Sequence, residues 1–332
     1  MVESILFATA FIAFFCTFLV LPYWIKKVKQ VGLVWEDMNK LNSKKDVAGS
    51  GGVVVVLSAM IGIFVYIAMQ TFYFKTQDGV SLQIFAILSS MFLVTLVGLV
   101  DDLFGWRKGG LSKRSRIILV LFSAIPLMVI NSGNSTMMGI NFGIFYPLLL
   151  IPIGVVGATT TFNFLAGYNG LEAGQGIIIL SALAFVTYQT GNSWLSIVAL
   201  CMVASLFAFY IFNKYPAKVF PGDVLTYSVG MMIAAIAILG NIEKIAIFFF
   251  IPYVLETILK LRGRLKKQSF GKPNKDGSLD LQYDKIYGLE HLAIWTLKRI
   301  KRNRKAYEWE VVYLINGFQI AVILLGFLLF LN

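Results

Sequence analysis

Residues 82–100, LQIFAILSSMFLVTLVGLV, form one apolar run without a charged side chain. A helix needs about 20 such residues to cross the hydrocarbon core of a bilayer. The rest of the chain is similar, since 58% of its 332 residues are hydrophobic, only 14% are charged and the mean hydropathy is +0.77. Because backbone groups in lipid must be satisfied internally, long apolar runs predict helices, and the fold class is an all-α polytopic membrane protein.

About ten spans fit within a single integral-membrane domain, residues 1–332. The N-terminal run has no basic segment before it and no small-residue cleavage site, so we interpret it as a retained first span rather than a signal peptide. The predicted spans are 4–25, 50–70, 82–100, 115–132, 143–162, 174–190, 193–212, 223–240, 244–262 and 309–331.

The positive charges indicate the orientation of these spans. If the N-terminus lies outside, one face carries 27 of the 29 Lys and Arg residues, and the other carries only Lys75 and Lys244. Positive loops mark the cytoplasm, so both termini are predicted outside. Contact with anionic lipid headgroups explains most of this charge, and no nucleic-acid partner is expected. The predicted cytoplasmic loops are 26–49, 101–114, 163–173, 213–222 and 263–308.

Residues 163–176, NFLAGYNGLEAGQG, depart from this pattern. They lie between two apolar runs on the basic face, yet they include no Lys or Arg. Their glycines permit backbone conformations and close approaches that other residues resist. A polar, uncharged-to-acidic turn of this kind indicates a binding site. Asn163 has the alternative of a cap or turn role.

Acidic residues end other spans on the same face. Asp101 and Asp102 directly follow residues 82–100, where a helix dipole disfavours negative charge. A solvated polar cap is the alternative for this pair. Asp223, in FPGD, is also a good candidate for a helix N-cap. Together with Asn163 and Glu172, these oxygen ligands suit a hard cation such as Mg²⁺ that is shared with substrate phosphates.

Basic residues near the acids could bind those phosphates. Lys113, Arg114 and Arg116 follow the Asp pair, and Arg262 and Arg264 end the ninth predicted span. Any single one of them could equally be a membrane-interface anchor.

Other site chemistries lack their signatures in the sequence. The two cysteines lie in apolar runs, and the single histidine, His291, cannot form a His-based metal site. No phosphate-binding GxxxxGK[ST] loop supports an ATP-driven pump, and the near absence of ionisable residues within the spans weighs against a proton-coupled transporter.

Four motifs, in order, resemble those of the polyprenyl-phosphate N-acetylhexosamine-1-phosphate transferases. The closest resemblance is to the archaeal and eukaryotic UDP-GlcNAc:dolichyl-phosphate GlcNAc-1-phosphate transferases. The motifs are DMNK at 37–40, GLVDD at 98–102, NFLAGYNGLEAGQ at 163–175 and NKYPAKVFPGD at 213–223.

The resemblance implies ten helices and a cytoplasmic active site, completed by the loop 263–308. It implies Mg²⁺-dependent transfer of GlcNAc-1-phosphate from UDP-GlcNAc to a dolichyl or polyprenyl phosphate, releasing UMP, with Mn²⁺ as the alternative metal. This is the first membrane step of lipid-linked oligosaccharide synthesis for N-glycosylation. A homodimer is a candidate assembly, since dimers are common in such families. The implied residues are Asp101 and Asp102 for catalysis, with Asp101 as the favoured base; Asn163 and Asp223 for the metal; Lys113, Arg262 and Arg264 for phosphate oxygens; and Asn169, Glu172 and Phe220 for the nucleotide.

The chain departs from the family pattern at three places. Gly105 and Thr160 replace residues that are acidic or amide-bearing in relatives, and an acidic residue expected before the second span is lost in VAGSGG. RGR at 262–264 replaces the His motif of the bacterial branches, which favours the dolichol-type branch. The large insertion of eukaryotic relatives near the last span is also missing. An archaeal cell membrane is therefore the first expectation for location, and the endoplasmic reticulum the second.

Three alternatives remain for comparison. One is transfer of another UDP-activated amino sugar phosphate for a cell-surface polymer. A CDP-alcohol phosphatidyltransferase would need an Asp-Gly-x-x-Ala-Arg pattern, which the sequence lacks. A lipid-linked carrier would use the same basic face, but it would not require Asp101, Asp102 and Asp223 together.

Overall fold

The computed structural model describes residues 8–41, 45–75, 79–131 and 133–331, most of which are helical. Three small antiparallel sheets pair β1 (Val34–Glu36) with β2 (Lys45–Ala48), β3 (Thr136–Met137) with β4 (Ile140–Asn141), and β5 (Lys272–Pro273), β6 (Ser278–Asp280) and β7 (Ala306–Tyr307) in that order. The helices are α1 (Ala8–Gln30), α2 (Gly52–Ala68, continued by a π-helical segment Met69–Phe74), α3 (Ser81–Lys108), α4 (Lys113–Ser123), α5 (Ile125–Ile130), α6 (Ile151–Phe162, preceded by π-helical Tyr146–Leu150), α7 (Leu171–Gln189), α8 (Ser193–Asn213), α9 (Gly222–Leu239), α10 (Glu243–Phe249), α11 (Ile251–Arg262), α12 (Leu289–Ile300) and α13 (Glu308–Phe330).

Seven helices in the described ranges are long and apolar enough to cross a membrane, which identifies an integral membrane protein. They are α1, α2 with its π-helical extension, α3, α7, α8, α9 and α13. The other three predicted spans coincide with shorter or interrupted helical segments. The α4–α5 and α10–α11 pairs are each interrupted just before a proline, and the helical stretch Tyr146–Phe162 is shorter. The count of ten spans and the outside position of both termini stay predictions.

Helix α3 continues beyond the predicted end of its span. It runs to Lys108 and ends at Gly109, whose φ of +88° is the left-handed conformation that favours glycine. Asp101 and Asp102 therefore lie within the helix rather than at its end. Helix α4 then packs back against α3 and returns its own basic residues towards the Asp pair.

Helix α9 lies at the centre of the bundle and packs against α2, α3, α6 and α7. Glycines allow the closest of these contacts. A Cβ atom on Gly98 of α3 would lie 2.7 Å from Cα of Val224, and one on Gly52 of α2 would lie 2.6 Å from the amide nitrogen of Leu225. On α9 itself, a Cβ on Gly230 would lie 2.7 Å from the carbonyl oxygen of Ala158. These approaches hold the start of α9 against its neighbours.

The segment before α9 is also held by backbone hydrogen bonds to the β1–β2 hairpin region. The amide of Phe220 donates to the carbonyl oxygen of Ala48 at 2.8 Å. The amide of Gly51 donates to the carbonyl oxygen of Phe220, and that of Gly52 to the carbonyl oxygen of Pro221, both at 2.9 Å. The sequence around residue 50 therefore positions the FPGD motif.

A pair of substitutions on α3 tests the close packing. We expect Gly98→Ala to lower the free energy of unfolding by about 1–3 kcal/mol, because its Cβ would meet the α9 backbone. Gly105→Ala is the matched control, since its Cβ would meet its nearest atom, Cη2 of Trp35, at 3.4 Å. It should be neutral or stabilising by up to about 1 kcal/mol. Thermal unfolding of the purified protein in detergent measures both, and equal melting temperatures would contradict the packing argument.

Candidate active site

A cavity of about 330 Å³ opens where several helices meet. Asp102 of α3, Glu172 in the first turn of α7 and Asp223 in the first turn of α9 line it, together with Glu36 and Asn163. None of the described residues that line it is Lys or Arg. We call this the acidic cavity. It brings together five of the residues predicted from the sequence: Asp102, Asn163, Glu172, Phe220 and Asp223.

Asp101 lies beside this cavity in a dense set of polar contacts. Its Oδ2 lies 2.5 Å from Nε of Arg116, and its Oδ1 accepts hydrogen bonds from Nη2 of Arg116 at 3.0 Å and from the amide of Leu111 at 2.7 Å. The hydroxyl of Tyr227 donates to Oδ2 at 3.4 Å. Nη1 of Arg116 lies 3.8 Å from Oδ2 of Asp223. Arg116 therefore compensates the charge of two aspartates on different helices.

The Asp102 carboxylate is attached to the start of α9. Its Oδ1 accepts a hydrogen bond from the amide of Asp223 at 2.7 Å. Gly222 makes this contact sterically feasible, because it has a φ of +71° and a Cβ there would lie 2.1 Å from Oδ2 of Asp102. The helix begins at Gly222, and Asp223 lies in its first turn without capping it. The capping interpretation of Asp223 is therefore wrong, and its carboxylate faces the cavity instead.

The residues of the acidic cavity fit a magnesium ion shared with a substrate. Oδ2 of Asp102 is buried without a hydrogen bond of regular geometry, although the Ser50 hydroxyl lies beside it. Oδ1 of Asn163 accepts from the hydroxyl of Thr226 at 3.0 Å and lines the same cavity as Asp223. In the described part of the chain no three His, Cys, Asp or Glu side chains form a metal site by themselves. Mg²⁺ prefers few protein ligands together with phosphate oxygens, so an ion held here would need oxygen atoms from a substrate.

The turn before α7 forms one wall of the acidic cavity. Oε1 of Glu172 accepts from the amide of Gly167 at 2.7 Å and closes the turn. Asn169 does not line the cavity. It is buried, its Nδ2 donates to Oδ2 of Asp37 at 3.0 Å, and its amide donates to Oε1 of Glu308 at 2.8 Å. Asn169 thus joins the DMNK motif to α13, and its predicted contact with the uracil base stays a prediction.

A second cavity of about 370 Å³ adjoins the first and shares Asn163, Ala166 and Phe270 with it. Its charge is opposite. It is lined by Lys113, Arg116, Lys260 and Lys267, and no Asp or Glu occurs among the described residues of its wall. We call this the basic cavity. Lys113 was predicted from the sequence.

The loop 264–271 forms a wall of both cavities and is held by contacts on several sides. The Tyr168 hydroxyl donates to the carbonyl oxygen of Ser269 and accepts from the amide of Gly271. Nε2 of His291 lies 3.4 Å from the carbonyl oxygen of Phe270, while Nδ1 accepts from the amide of Tyr287. Burial lowers the pKa of His291, so the ring is neutral at neutral pH. His291 has a structural role here.

Arg262 and Arg264 are exposed and line neither cavity. Lys113 reaches their loop, because its Nζ donates to the carbonyl oxygen of Leu265 at 3.3 Å. The predicted phosphate contacts of the two arginines stay predictions.

The sequence analysis named Arg116 among the basic residues that could bind phosphates without singling it out, and it did not assign Lys260 or Lys267 to the site. Arg116 had a usable signal, since it follows Lys113 by about one helical turn and so shares a face with it. Lys260 and Lys267 had none, because both resemble interface anchors of the basic face.

Comparison with known proteins finds a matching family model and several similar proteins. The model of glycosyl transferase family 4 matches residues 84–241. The chain is 36% identical over 330 residues, 94% of each chain, to a Saccharolobus solfataricus protein provisionally named UDP-N-acetylglucosamine–dolichyl-phosphate N-acetylglucosaminephosphotransferase. It is 29% identical to the Dictyostelium discoideum protein of that name, over 72% of this chain and 67% of the other. A phospho-N-acetylmuramoyl-pentapeptide-transferase of Halalkalibacterium halodurans is 30% identical, over 78% of this chain and 82% of the other.

A substitution at Arg116 tests the charge compensation. We expect Arg116→Gln to lower the free energy of unfolding by about 1–3 kcal/mol, because Asp101 is buried while the arginine is one-third exposed. Arg114→Gln is the matched control, being an exposed arginine on the same helix turn. Urea or thermal unfolding in detergent measures both. Equal losses would show that Arg116 acts only as a surface charge.

Proposed function

Because this chain belongs to glycosyl transferase family 4, we propose that it transfers GlcNAc-1-phosphate from UDP-GlcNAc to a dolichyl or polyprenyl phosphate. The similarity over 94% of the chain to a protein named for this activity carries the proposal. The acidic cavity beside a basic one supports it, since the reaction brings together two anionic phosphates.

In a direct transfer an oxygen of the lipid phosphate attacks the phosphorus that carries the sugar. A new phosphorus–oxygen bond forms, the bond from that phosphorus to the bridging oxygen of the donor diphosphate breaks, and UMP leaves with that oxygen and the bonding electron pair. Because both reactants are negatively charged, the barrier is mainly electrostatic. Positive groups that are already fixed close to the phosphates lower this barrier, because they do not have to reorganise during the reaction.

The residues of the two cavities would have different roles in this reaction. Asp102 faces the acidic cavity with a carboxylate oxygen that lacks a regular hydrogen bond, so it is better placed than Asp101 to contact the reacting groups. Asp101 holds Arg116 in position. Lys113 and Arg116 line the basic cavity and would contact phosphate oxygens. Phe220 offers a ring for the base of the nucleotide.

Asp102, Asp223 and Asn163 would hold Mg²⁺, or Mn²⁺ in its place. When bound, such an ion neutralises charge on the diphosphate oxygens and orients the leaving group. The carboxylates of Asp102 and Asp223 would otherwise repel the substrate. Because the proposed substrates are anions, the two carboxylates in the cavity that would bind them need a cation to compensate their charge.

The site would face the cytoplasm, because the loops that carry its residues hold 27 of the 29 Lys and Arg residues. We place the protein in an archaeal cell membrane. An endoplasmic reticulum location is the alternative, and a homodimer is the candidate assembly. The apolar tail of the acceptor explains why the site must lie at a membrane face.

A second candidate is transfer of a different UDP-activated amino sugar phosphate, and the similarity to the Halalkalibacterium protein favours it. The position of His291, held between Tyr287 and Phe270, offers no free histidine for such a site. UDP-GlcNAc is therefore the first donor to test, followed by a panel of UDP-amino sugars.

UMP release by the purified protein tests the function. In detergent with UDP-GlcNAc, dolichyl phosphate and Mg²⁺, we expect release that requires the lipid. Asp223→Asn should lower the rate at least about 100-fold, the usual effect of losing one electrostatic contact to the transition state. Asp284→Asn is the control, since it removes an exposed carboxylate in the last cytoplasmic loop. Absence of UMP with every donor and lipid would refute the proposal.

Removal of the metal tests the cofactor. Excess EDTA should abolish UMP release, and excess Mg²⁺ or Mn²⁺ should restore it, because Asp102 and Asp223 would then regain their cation. A rate that is unchanged in EDTA would contradict the metal assignment and leave the transfer itself to be explained by the basic residues.

A further inference from the structure

A buried cluster of charged residues lies behind the basic cavity, where α11 packs against α12. Nζ of Lys260 lies 3.5 Å from Oε1 of Glu256 and donates a short hydrogen bond to Oγ of Ser269. Oε2 of Glu256 accepts from the amide of Leu289 at 2.6 Å. Glu256 and Glu290 are both fully buried. The cluster therefore connects α11 and α12 to the loop 264–271, which forms a wall of both cavities.

The two glutamates lie close to one another. A Cβ atom on Gly288 would lie 2.6 Å from Oε2 of Glu290 and 3.2 Å from Oε1 of Glu256. Glycine at this position thus makes room for both carboxyl groups. Burial, and then the charge of Glu256, raises the pKa of Glu290 well above its ordinary value, which favours its neutral form. The ammonium group of Lys260 is a positive group beside both carboxyl groups.

An ion pair this deeply buried gains little net stability, because desolvation offsets the attraction. Its geometry, however, points Lys260 towards a ligand site. Lys260 is 12% exposed and lines the basic cavity together with Lys113 and Arg116. An ammonium group has three N–H donors. The contacts to Glu256 and Ser269 use two of them and leave one for a group in the cavity.

We propose that Lys260 binds a phosphate group of the substrates in the basic cavity, and that Glu256, which lies close to Glu290, positions its ammonium group. This inference rests on the proposed function and deepens it. The chemistry recognised is a phosphate oxygen, which either the nucleotide donor or the lipid acceptor supplies. Lys260 is the residue that contacts the ligand, and the two glutamates act through it.

Steady-state kinetics of UMP release tests the role of Lys260. Lys260→Gln should raise KM at least fivefold for one substrate, either UDP-GlcNAc or dolichyl phosphate, because the missing donor binds that substrate's phosphate. Which KM rises identifies the source of the phosphate. Lys266→Gln is the matched control, removing an equal charge from an exposed position of the neighbouring loop, outside both cavities. If both values of KM are unchanged in Lys260→Gln, the proposal is overturned.

The positioning role of Glu256 needs a separate comparison. Glu256→Gln should raise the same KM as Lys260→Gln, and the double variant should be no worse than Lys260→Gln alone, since both changes act on one contact. A purely structural role would lower the melting temperature in detergent without changing KM, which would overturn the positioning claim. Glu290→Gln should raise KM less than Glu256→Gln does, because Glu256 is the glutamate 3.5 Å from Nζ of Lys260. An equal rise in both variants would contradict the assignment of the positioning role to Glu256.

The two proposals fail in different ways. If the unmodified protein releases no UMP with any donor and lipid, the proposed function fails. If the unmodified protein is active while Lys260→Gln folds and has unchanged kinetics, only this inference fails. Should Lys260→Gln not fold, Glu256→Gln takes its place, and unchanged values of KM for both UDP-GlcNAc and dolichyl phosphate in that variant would overturn the proposal.

Discussion

The candidate active site depends on compensating the negative charge of Asp101, Asp102 and Asp223. These three carboxyl groups come from two helices and would repel one another in a nonpolar bundle. Arg116 on α4 compensates Asp101 and lies 3.8 Å from Asp223, while the amide of Asp223 donates to Asp102. This arrangement requires α3, α4 and α9 to pack closely. Gly98 and Gly222 provide the necessary space, since a Cβ atom on either would overlap its neighbour.

Charge of opposite sign is separated between two adjoining cavities. Carboxylates line one, while Lys and Arg side chains line the other, and Asn163 and Phe270 belong to both. A single site mixing these groups would neutralise itself in internal ion pairs. Arg116 is shared between the two sets of groups, since it also contacts Asp101 and Asp223. Under the proposed function, the separation of the other groups would leave the acids available for a cation and the bases available for phosphates. The loop 264–271, held by Tyr168 and His291, completes the shared wall, so α12 influences the site without lining it.

Much of the site was predictable because its residues interrupt strong patterns. Asp102, Asn163, Glu172 and Asp223 are polar groups at or near the ends of apolar runs, on a face that is otherwise basic, and the structure gathers all four. Rules for local structure, such as helix-capping preferences, were less reliable. Proline and glycine before Asp223 favour a cap, yet the N-cap position is Pro221 and Asp223 lies two positions beyond it. Asn169 lies in the most distinctive motif but is buried against Asp37 and Glu308, contacts distant in sequence.

The sequence by itself determined the fold class, the positions of the helical segments and the basic face, because burial in lipid and the positive-inside bias act on each segment independently. It also identified most of the acidic residues. Only the tertiary structure decided which charges meet. Arg116 reaches Asp101 because α4 turns back at Gly109 and Gly110, and Lys260 reaches the basic cavity because α12 buries Glu256 behind it. Such pairings depend on the packing of separate helices, and periodicity along one helix carries no information about them.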